Sequence, residues 1–449
     1  MSPDSVSLIA RLAPEMLSKI FNHYLEPFSK EYDLTASRRR TICATTSRFR
    51  QIAKADHTLW SKVFIKNTTG MREIEHTFQH SGQCMLTIRI DIRDISTLPQ
   101  GYTRESIEWY VSDLLNIVSP ALHRCERLSV YCDGEHTTLY FLPQLANLSA
   151  PCIQYLDLDV QGELLEEQAV SQSIPILFQG NLPVLQSIAF RTTFIKWQSV
   201  PYFSGLSHIY LDTFWPRFYP DLDEFYALFS STPLLKCLEL EHGGCDLSLD
   251  PMLPAPRLLH LTHLQFAACD ESTFIMLSML HMPAVHTLDA DFEDEDGFST
   301  FIFHFQPFLG QLHSLILGAI ISSTGPLLMA LKSLINVQYI NMSPTMTSGA
   351  FAVLCSKEYD ATSRGDVASI VDAMYGITDQ NPGICPRLKR LTIGEADAHE
   401  EAVWDLLRIQ PRPFDAGIQA QWRDGSVIIE TKPSFPFDNL YSEWSGTYI

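Results

Sequence analysis

The sequence lacks the cysteine patterns that hold a metal ion or a disulfide framework. Its ten cysteines are scattered along 449 residues, with no Cys-x-x-Cys pair and no Cys/His spacing typical of a zinc site. An acidic run resembles a calcium loop, but read from Asp291 it has Asp296 where glycine is required and Ile302 where glutamate is required. The pattern predicts free thiols, no bound metal and no cofactor.

The motifs of the common enzyme classes are missing too. The sequence contains no GxSxG, Walker or GxGxxG segment. The segment that begins at His399 lacks the second histidine of a zinc-protease helix and is more typical of an ordinary helix start. We therefore expect a protein that is not an enzyme. An enzyme whose active site is dispersed over loops is the alternative left open.

The sequence predicts neither a secretion signal nor a membrane span. The first 25 residues contain Asp4, Arg11, Glu15 and Lys19 and no unbroken apolar run. Residues 298–331 carry no charge, but Gln, His, Pro and Ser residues interrupt them, which favours a buried strand and helix over a membrane span. We expect a cytoplasmic or nuclear protein that does not bind a membrane.

Charge is distributed unevenly along the chain. The net charge is −20, yet the first 72 residues carry +6 and the remainder −26. Binding of nucleic acid by the acidic body is disfavoured, because phosphate contacts need clustered positive charge. The basic N-terminal part favours an acidic partner.

Two short amphipathic helices are predicted near the N-terminus. Between Leu12 and Leu25, apolar residues recur at helical spacing, namely Met16, Leu17, Ile20, Phe21 and Tyr24. A second set with the same period includes Ile42, Phe49 and Ile52, interleaved with basic residues, and Leu59-Trp60 follows. About 55 residues are too few to bury much core alone, so we expect an apolar face to remain for a partner.

These residues resemble an F-box, in the form common in mushroom-type fungi. The order Leu-x-Pro-Glu-x-Leu-x-x-Ile-Phe, then an Arg-aromatic-Arg-x-Ile-Ala helix, then Leu-Trp, covers about residues 9–65 and departs from the usual pattern at Ala13, Thr46 and Phe49. The resemblance implies docking to the acidic Skp-type adaptor of a cullin ubiquitin ligase. The implied adaptor contacts are Leu12, Pro14, Glu15, Leu17, Ile20 and Phe21. Ile42, Phe49 and Trp60 are expected to pack inside the module.

The rest of the chain contains a repeated strand pattern. The template L-x-x-L-x-L, with apolar residues at its first, fourth and sixth positions, occurs ten times between Cys125 and Ile393. Successive starts lie 21 to 32 residues apart, except for a final interval of 51. Only six of the thirty intervening residues are apolar, which is the alternation expected of a strand with one buried face. The repeats look like degenerate leucine-rich repeats.

We therefore predict an α/β fold with a small all-α module before a leucine-rich-repeat solenoid. The solenoid is expected to be a horseshoe with a parallel concave sheet and helices outside, the helices including residues 221–231, 271–280, 327–335 and 401–409. The predicted domains are 1–66 for the F-box-like module, 67–120 for a linker strand and helix that cap the array, 121–410 for the solenoid, and 411–449 for a C-terminal hairpin and tail. The hairpin is expected to turn at Asp424-Gly425. Residues 343–387 fit either a decayed repeat or a long loop.

The predicted concave face is acidic in its centre. The positions that point out of the strands include Asp157, Asp159, Tyr210, Asp212, Glu239, Glu241, Asp289 and Asp291. Our hypothesis is that this face binds a basic segment of a target protein, with tyrosines as anchors. The alternative is that the acids merely keep the strands soluble and unpaired at their edges.

Two non-enzymatic functions remain at this point. The first is the substrate-recognition subunit of an SCF-type ubiquitin ligase, with the N-terminal module on the adaptor and the repeats on the target. The second is a repeat scaffold unrelated to ubiquitination, in which the N-terminal helices are only a cap over the open end of the array.

Overall fold

The computed structural model describes most of the chain as two compact units. The first contains Met1–Lys196, Val200–Gly205 and Phe437–Ile449, and the second contains Trp197–Ser199 and Leu206–Pro436. The described residues are 9, 12–25, 34–93, 104–133, 135–161, 177–191, 204–212, 220–247, 254–292, 295–319, 330, 333–342, 387, 389–393, 418–423 and 426–431.

The first unit begins with helices and continues as alternating strands and helices. Its helices are α1 (Pro14–Leu25), α2 (Leu34–Thr45), α3 (Ser47–Ala55), α4 (Met71–His80), α5 (Arg104–Val118) and α6 (Glu135–Ala146). Its strands are β1 (Lys62–Lys66), β2 (Leu86–Ile92), β3 (Cys125–Asp133), β4 (Tyr155–Gln161) and β5 (Ser187–Arg191). Short 3-10 turns cover His57–Trp60, Ser119–Arg124 and Leu177–Gly180.

Helices α1 to α3 form a small module around one apolar cluster. Its buried members are Leu17, Phe21, Leu25, Ile42, Ala53, Leu59 and Trp60. Phe49 packs against this cluster, with its ring centre 5.1 Å from that of Phe21 in an edge-to-face arrangement. The Trp60 indole donates a 2.7 Å hydrogen bond to the Ala53 carbonyl, which satisfies its polar atom inside the core. Ile42, Phe49 and Trp60 therefore pack inside the module, as the sequence predicts.

The five strands of the first unit are parallel and in register. One row of equivalent positions runs across all five strands and is fully buried: Val63, Ile88, Leu128, Leu156 and Ile188. These rows form because each strand alternates buried and outward side chains, so apolar residues of successive strands stack on one face. The sheet begins at Lys62, inside the range assigned to the module, and residues 67–120 contribute α4, β2 and α5. Paired strands thus start before residue 121.

The second unit repeats the same arrangement. Its strands are β6 (His208–Asp212), β7 (Cys237–Glu241), β8 (His263–Ala267), β9 (Thr287–Phe292), β10 (Ser314–Ala319), β11 (Tyr339–Met342), β12 (Arg390–Ile393), β13 (Ile418–Arg423) and β14 (Ser426–Thr431). Its helices are α7 (Leu222–Ser230), α8 (Glu271–Met279) and α9 (Glu295–Leu309). Strands β6 to β12 are parallel, in an open sheet.

The core of the second unit is rich in phenylalanine. The ring centre of Phe266 on β8 lies 5.2 to 6.1 Å from those of Phe274, Phe292, Phe301 and Phe305. These rings come from α8, β9 and α9, so they bind the helices to the sheet. Residues 298–331 thus supply most of α9 and the whole of β10, the helix and strand that their interrupted apolar pattern predicts. In the described part of the chain, no helix is long and apolar enough to cross a membrane.

Helix α7 begins at a capping box. Asp221 accepts a hydrogen bond from the Glu224 backbone N–H, and the Glu224 side chain accepts one from the Asp221 N–H. Asp270 caps α8 in the simpler way, by accepting from the Thr273 N–H. The helices predicted at 221–231 and 271–280 are therefore confirmed to within one residue at each end. The one predicted at 401–409, and most of that at 327–335, lie outside the described residues.

Strands β13 and β14 form the predicted C-terminal hairpin. They pair antiparallel, and β14 also pairs antiparallel with β12, so the hairpin extends the sheet of the second unit. Of residues 343–387 only Arg387 is among those described, so the choice between repeat and loop lies outside the described residues. Each unit is a mixed α/β structure built on parallel strands.

Candidate partner-binding surfaces

Helix α1 has two apolar sides, and only one of them faces the core. Leu17, Phe21 and Leu25 are 0, 4 and 4% exposed. The residues that precede them, Met16, Ile20 and Tyr24, are 50, 44 and 47% exposed. Residues four apart lie on the same side of a helix, so these three form one outward row, which we call the α1 stripe. A folded module thus presents an apolar surface to solvent.

Burial divides the predicted adaptor contacts into accessible and inaccessible residues. Pro14, Glu15 and Ile20 are exposed and Leu12 is half-buried, so these four are accessible. Leu17 and Phe21 are not, because they fill the core of the module. Two rows of four-residue spacing run along α1, offset by one residue, and periodicity alone does not say which row faces inward. Met16 and Tyr24, which carry the same signal, were omitted from the predicted contacts.

One arginine lies against the α1 stripe, and the module carries further exposed cations. The Arg38 guanidinium lies 5.5 Å from the centre of the Tyr24 ring and donates a 3.4 Å hydrogen bond to the Tyr24 carbonyl. Other exposed cations of the module are Lys19, Arg40, Arg50, Lys54 and Lys62. Asp56, the one acid between residues 36 and 72, accepts hydrogen bonds from Ser18, Asn22 and Thr58. Much of the basic excess read from the sequence therefore lies on the surface of the module.

The module is joined closely to the first strand. Arg39 of α2 is buried, stacks 4.8 Å from the centre of the Trp60 ring and donates a 2.9 Å hydrogen bond to the Lys62 carbonyl. Burial lowers the pKa of this guanidinium to about 10, so it stays protonated at neutral pH. Ser61 is the only residue between the Trp60 turn and β1. The helical module and the sheet of the first unit thus belong to one packed body.

The outward face of the sheet in the first unit carries a network of arginines, tyrosines and aspartates. Asp157 accepts a hydrogen bond from the Tyr131 hydroxyl and pairs with Arg191 at 3.1 Å. The Arg89 guanidinium stacks on Tyr131, 4.3 Å from the centre of its ring. Burial, followed by the charge of Asp157, raises the pKa of Tyr131 to about 12. Asp157 is thus committed to contacts within this face.

Asp159 does not lie where the sequence places it. It was predicted to be accessible to a target, but it is 3% exposed and lies 4.0 Å from Arg93. The reason is that Arg93, just after β2, reaches across the face and also forms a 2.9 Å ion pair with Asp91. Asp159 therefore belongs to the interior of the arginine network rather than to a binding surface.

The outward face of the second unit brings the other six predicted residues together. Strand register places Tyr210 beside Glu239 and Asp212 beside Glu241 on β6 and β7. Across β8, Gln265 lies between Glu239 and Asp289, and Ala267 lies between Glu241 and Asp291. We call Glu239, Glu241, Asp289 and Asp291 the acidic row. Strands β6 to β9 contain no lysine or arginine, in contrast to the arginine-rich strands of the first unit.

The acidic row carries closely spaced negative charge. Burial, then the charges of Asp291 and Glu239, raises the pKa of Asp289 to about 6. The Tyr210 hydroxyl donates a hydrogen bond to Glu241, and His242 Nδ1 lies 3.1 Å from Asp212 Oδ1. His242 is a residue of this face that the sequence pattern does not indicate, because it lies two residues beyond the repeated strand template. This face has the sign of charge that attracts a basic segment.

A comparison with models of known protein families and with curated protein sequences finds no match for this chain.

Proposed function

We propose that this chain is the substrate-recognition subunit of an SCF-type ubiquitin ligase. The observation that carries the proposal is the α1 stripe: a packed three-helix module leaves Met16, Ile20 and Tyr24 exposed, with Arg38 lying against Tyr24. Such a surface suits an acidic partner with an apolar groove, because helices dock in this way through side chains at four-residue spacing. The resemblance of residues 9–65 to an F-box names the Skp-type adaptor, and through it a cullin, as that partner.

A plain helical cap explains the α1 stripe less well. A cap gains stability by covering apolar surface at the end of a sheet, whereas here three large apolar side chains on one helix remain about half exposed. The alternative of a repeat scaffold unrelated to ubiquitination requires that the stripe has no adaptor to bind. One measurement of adaptor binding therefore distinguishes the scaffold from the ubiquitin-ligase subunit.

The test is binding of the full chain to a Skp-type adaptor. Met16→Asp together with Ile20→Asp should weaken binding by about 30-fold or more, because a central apolar anchor typically contributes 2 kcal/mol or more. Met85→Asp is the matched control, since Met85 is an equally exposed methionine outside the module. Unchanged binding by the double variant contradicts the docking surface. Failure of the unaltered chain to bind favours the scaffold.

The repeats are proposed to hold the target. In the second unit the acidic row and Tyr210 supply negative charge and an aromatic side chain on one face, which suits a Lys/Arg-rich segment. The arginine network of the first unit holds its acids internally, so we assign target binding to the second unit. Asp157 and Asp159 are left out of this surface.

A further inference from the structure

Three side chains with metal-binding atoms converge at the carboxyl-terminal ends of β6 and β7 in the second unit. Asp212 ends β6, Glu241 ends β7, and His242 follows directly. Parallel register places Asp212 and Glu241 side by side on adjacent strands. One candidate ligand atom from each of the three residues lies within 4.8 Å of the other two. None of these residues has a role in adaptor docking, so the cluster is independent of the module.

The spacing of these atoms is close to that of a coordination shell. A metal ion with bonds of about 2.0 to 2.2 Å separates neighbouring ligand atoms by roughly 3.0 to 3.6 Å. Asp212 Oδ1 and His242 Nδ1 are already 3.1 Å apart. One Glu241 carboxylate oxygen lies within 4.8 Å of a ligand atom of each of the other two residues, and Glu241 also accepts a hydrogen bond from the Tyr210 hydroxyl.

The electrostatics of the cluster favour a cation. Two carboxylates at the same height on adjacent strands repel each other, and both are largely shielded from water. The Tyr210 hydroxyl, which donates to Glu241, and the His242 imidazole, which lies against Asp212, reduce this repulsion only in part. A divalent ion would neutralise both carboxylates at once. The neighbouring acidic row adds further negative potential at the same face.

The backbone directs His242 into the cluster. Its φ is 50°, and its N–H donates a 2.9 Å hydrogen bond to the Ala267 carbonyl of β8. At this residue the backbone leaves the direction of the strand, which places the imidazole beside Asp212.

We propose that Asp212, Glu241 and His242 bind one divalent transition-metal ion, with Zn²⁺ as the probe that defines the site. One nitrogen and two carboxylate oxygens are donors that suit Zn²⁺, whereas Mg²⁺ and Ca²⁺ prefer oxygen ligands alone. Three protein ligands leave a fourth position open, for water or for a side chain of a bound partner. The ion would therefore lie at the face that we assign to the target.

Isothermal titration of the metal-free full chain with Zn²⁺ tests the site. His242→Asn removes the imidazole, and asparagine tolerates the left-handed backbone at this position. Glu241→Gln keeps the shape of the side chain and removes its charge. Each should weaken the site by about tenfold or more. His260→Asn, at an exposed histidine elsewhere in the same unit, is the matched control and should leave it unchanged.

Two further measurements keep the outcome decisive. Tyr210→Phe removes the competing hydrogen bond on Glu241, so Zn²⁺ should bind equally well or more tightly. The absorption spectrum of added Co²⁺ reports coordination directly and should be lost in His242→Asn. The site is contradicted if the unaltered chain does not bind Zn²⁺ below about 1 mM. Equal binding by His242→Asn, Glu241→Gln and the control contradicts it as well.

Discussion

The Arg39 guanidinium lies 4.8 Å from the centre of the Trp60 ring and 2.9 Å from the Lys62 carbonyl oxygen. One side chain thereby joins α2, the end of the helical module and the first strand of the sheet. Its neighbour Arg40 is 70% exposed and pairs with Glu73 at 3.1 Å. Two consecutive arginines therefore have opposite environments, one buried and one exposed. Their variants provide a controlled comparison of what each side chain contributes to the free energy of unfolding.

Arg39→Ala should lower the free energy of unfolding by about 1–3 kcal/mol, because it removes packing on Trp60 and leaves the Lys62 carbonyl without its donor. Arg40→Ala should lower it by less than about 1 kcal/mol, since its ion pair is surrounded by water. Urea denaturation of the two variants measures both values. Equal losses would mean that Arg39 does not join the module to the sheet.

The two sides of α1 should differ in the same way. Leu17→Ala should destabilise the module by about 2–5 kcal/mol, because it leaves a cavity in a fully buried site. Ile20→Ala should change stability by less than about 1 kcal/mol and weaken adaptor binding instead. Thermal unfolding and an adaptor-binding isotherm, run on both variants, separate the roles. An Ile20→Ala chain as unstable as Leu17→Ala would show that the α1 stripe is buried.

The raised pKa of Asp289 should make stability depend on pH. The pKa is about 6 in the folded chain, above the ordinary value of 3.8, so the folded state binds this proton more tightly. The free energy of unfolding therefore falls as pH rises from 3.8 to about 6. At pH 7 the destabilisation by the ionised Asp289 is fully present. Asp289→Asn should stabilise the chain by about 1–2 kcal/mol at neutral pH and by little near pH 3.

Urea denaturation at the two pH values measures this difference. Glu271→Gln, at an exposed carboxylate on α8, is the control and should show no such pH dependence. A stabilisation by Asp289→Asn that is equally large at both pH values would rule out like-charge crowding and burial as its cause.

The acidic row should bind basic peptides in a salt-dependent manner. Glu239→Lys together with Asp291→Lys should abolish binding of a Lys/Arg-rich peptide, because both the sign and the density of charge on this face change. Fluorescence anisotropy of a labelled peptide, measured at several salt concentrations, gives the affinity. Glu271→Lys reverses a charge on α8 and should have little effect. If the double variant binds as the unaltered chain does, the target is not held by this row.

The buried rows of the sheet were predictable from the sequence, and the α1 stripe was not. Leu128, Leu156 and Ile188 recur in a fixed template, and a period of two along each strand leaves one choice of buried face. On α1, the rows of Leu17 and Ile20 are equally apolar, so only the packing of Phe21 on Phe49 decides between them.

The polar sites depend on contacts between distant residues. Asp159 fits the outward template, yet Arg93, 66 positions earlier in the chain, lies against it. The cluster of Asp212, Glu241 and His242 combines the ends of two strands about one repeat apart. No short motif spans such a distance, which is why a search by ligand spacing predicted no metal site.

Ser61 alone separates the Trp60 turn from β1, and Arg39 fastens the two sides of that junction. In the proposed complex, no flexible tether would separate the bound adaptor from the first strand. Neighbouring strands are about 4.8 Å apart, so each successive strand of the first unit would lie a fixed increment farther from that adaptor. The orientation of the first unit's sheet would therefore be set as soon as the module is docked.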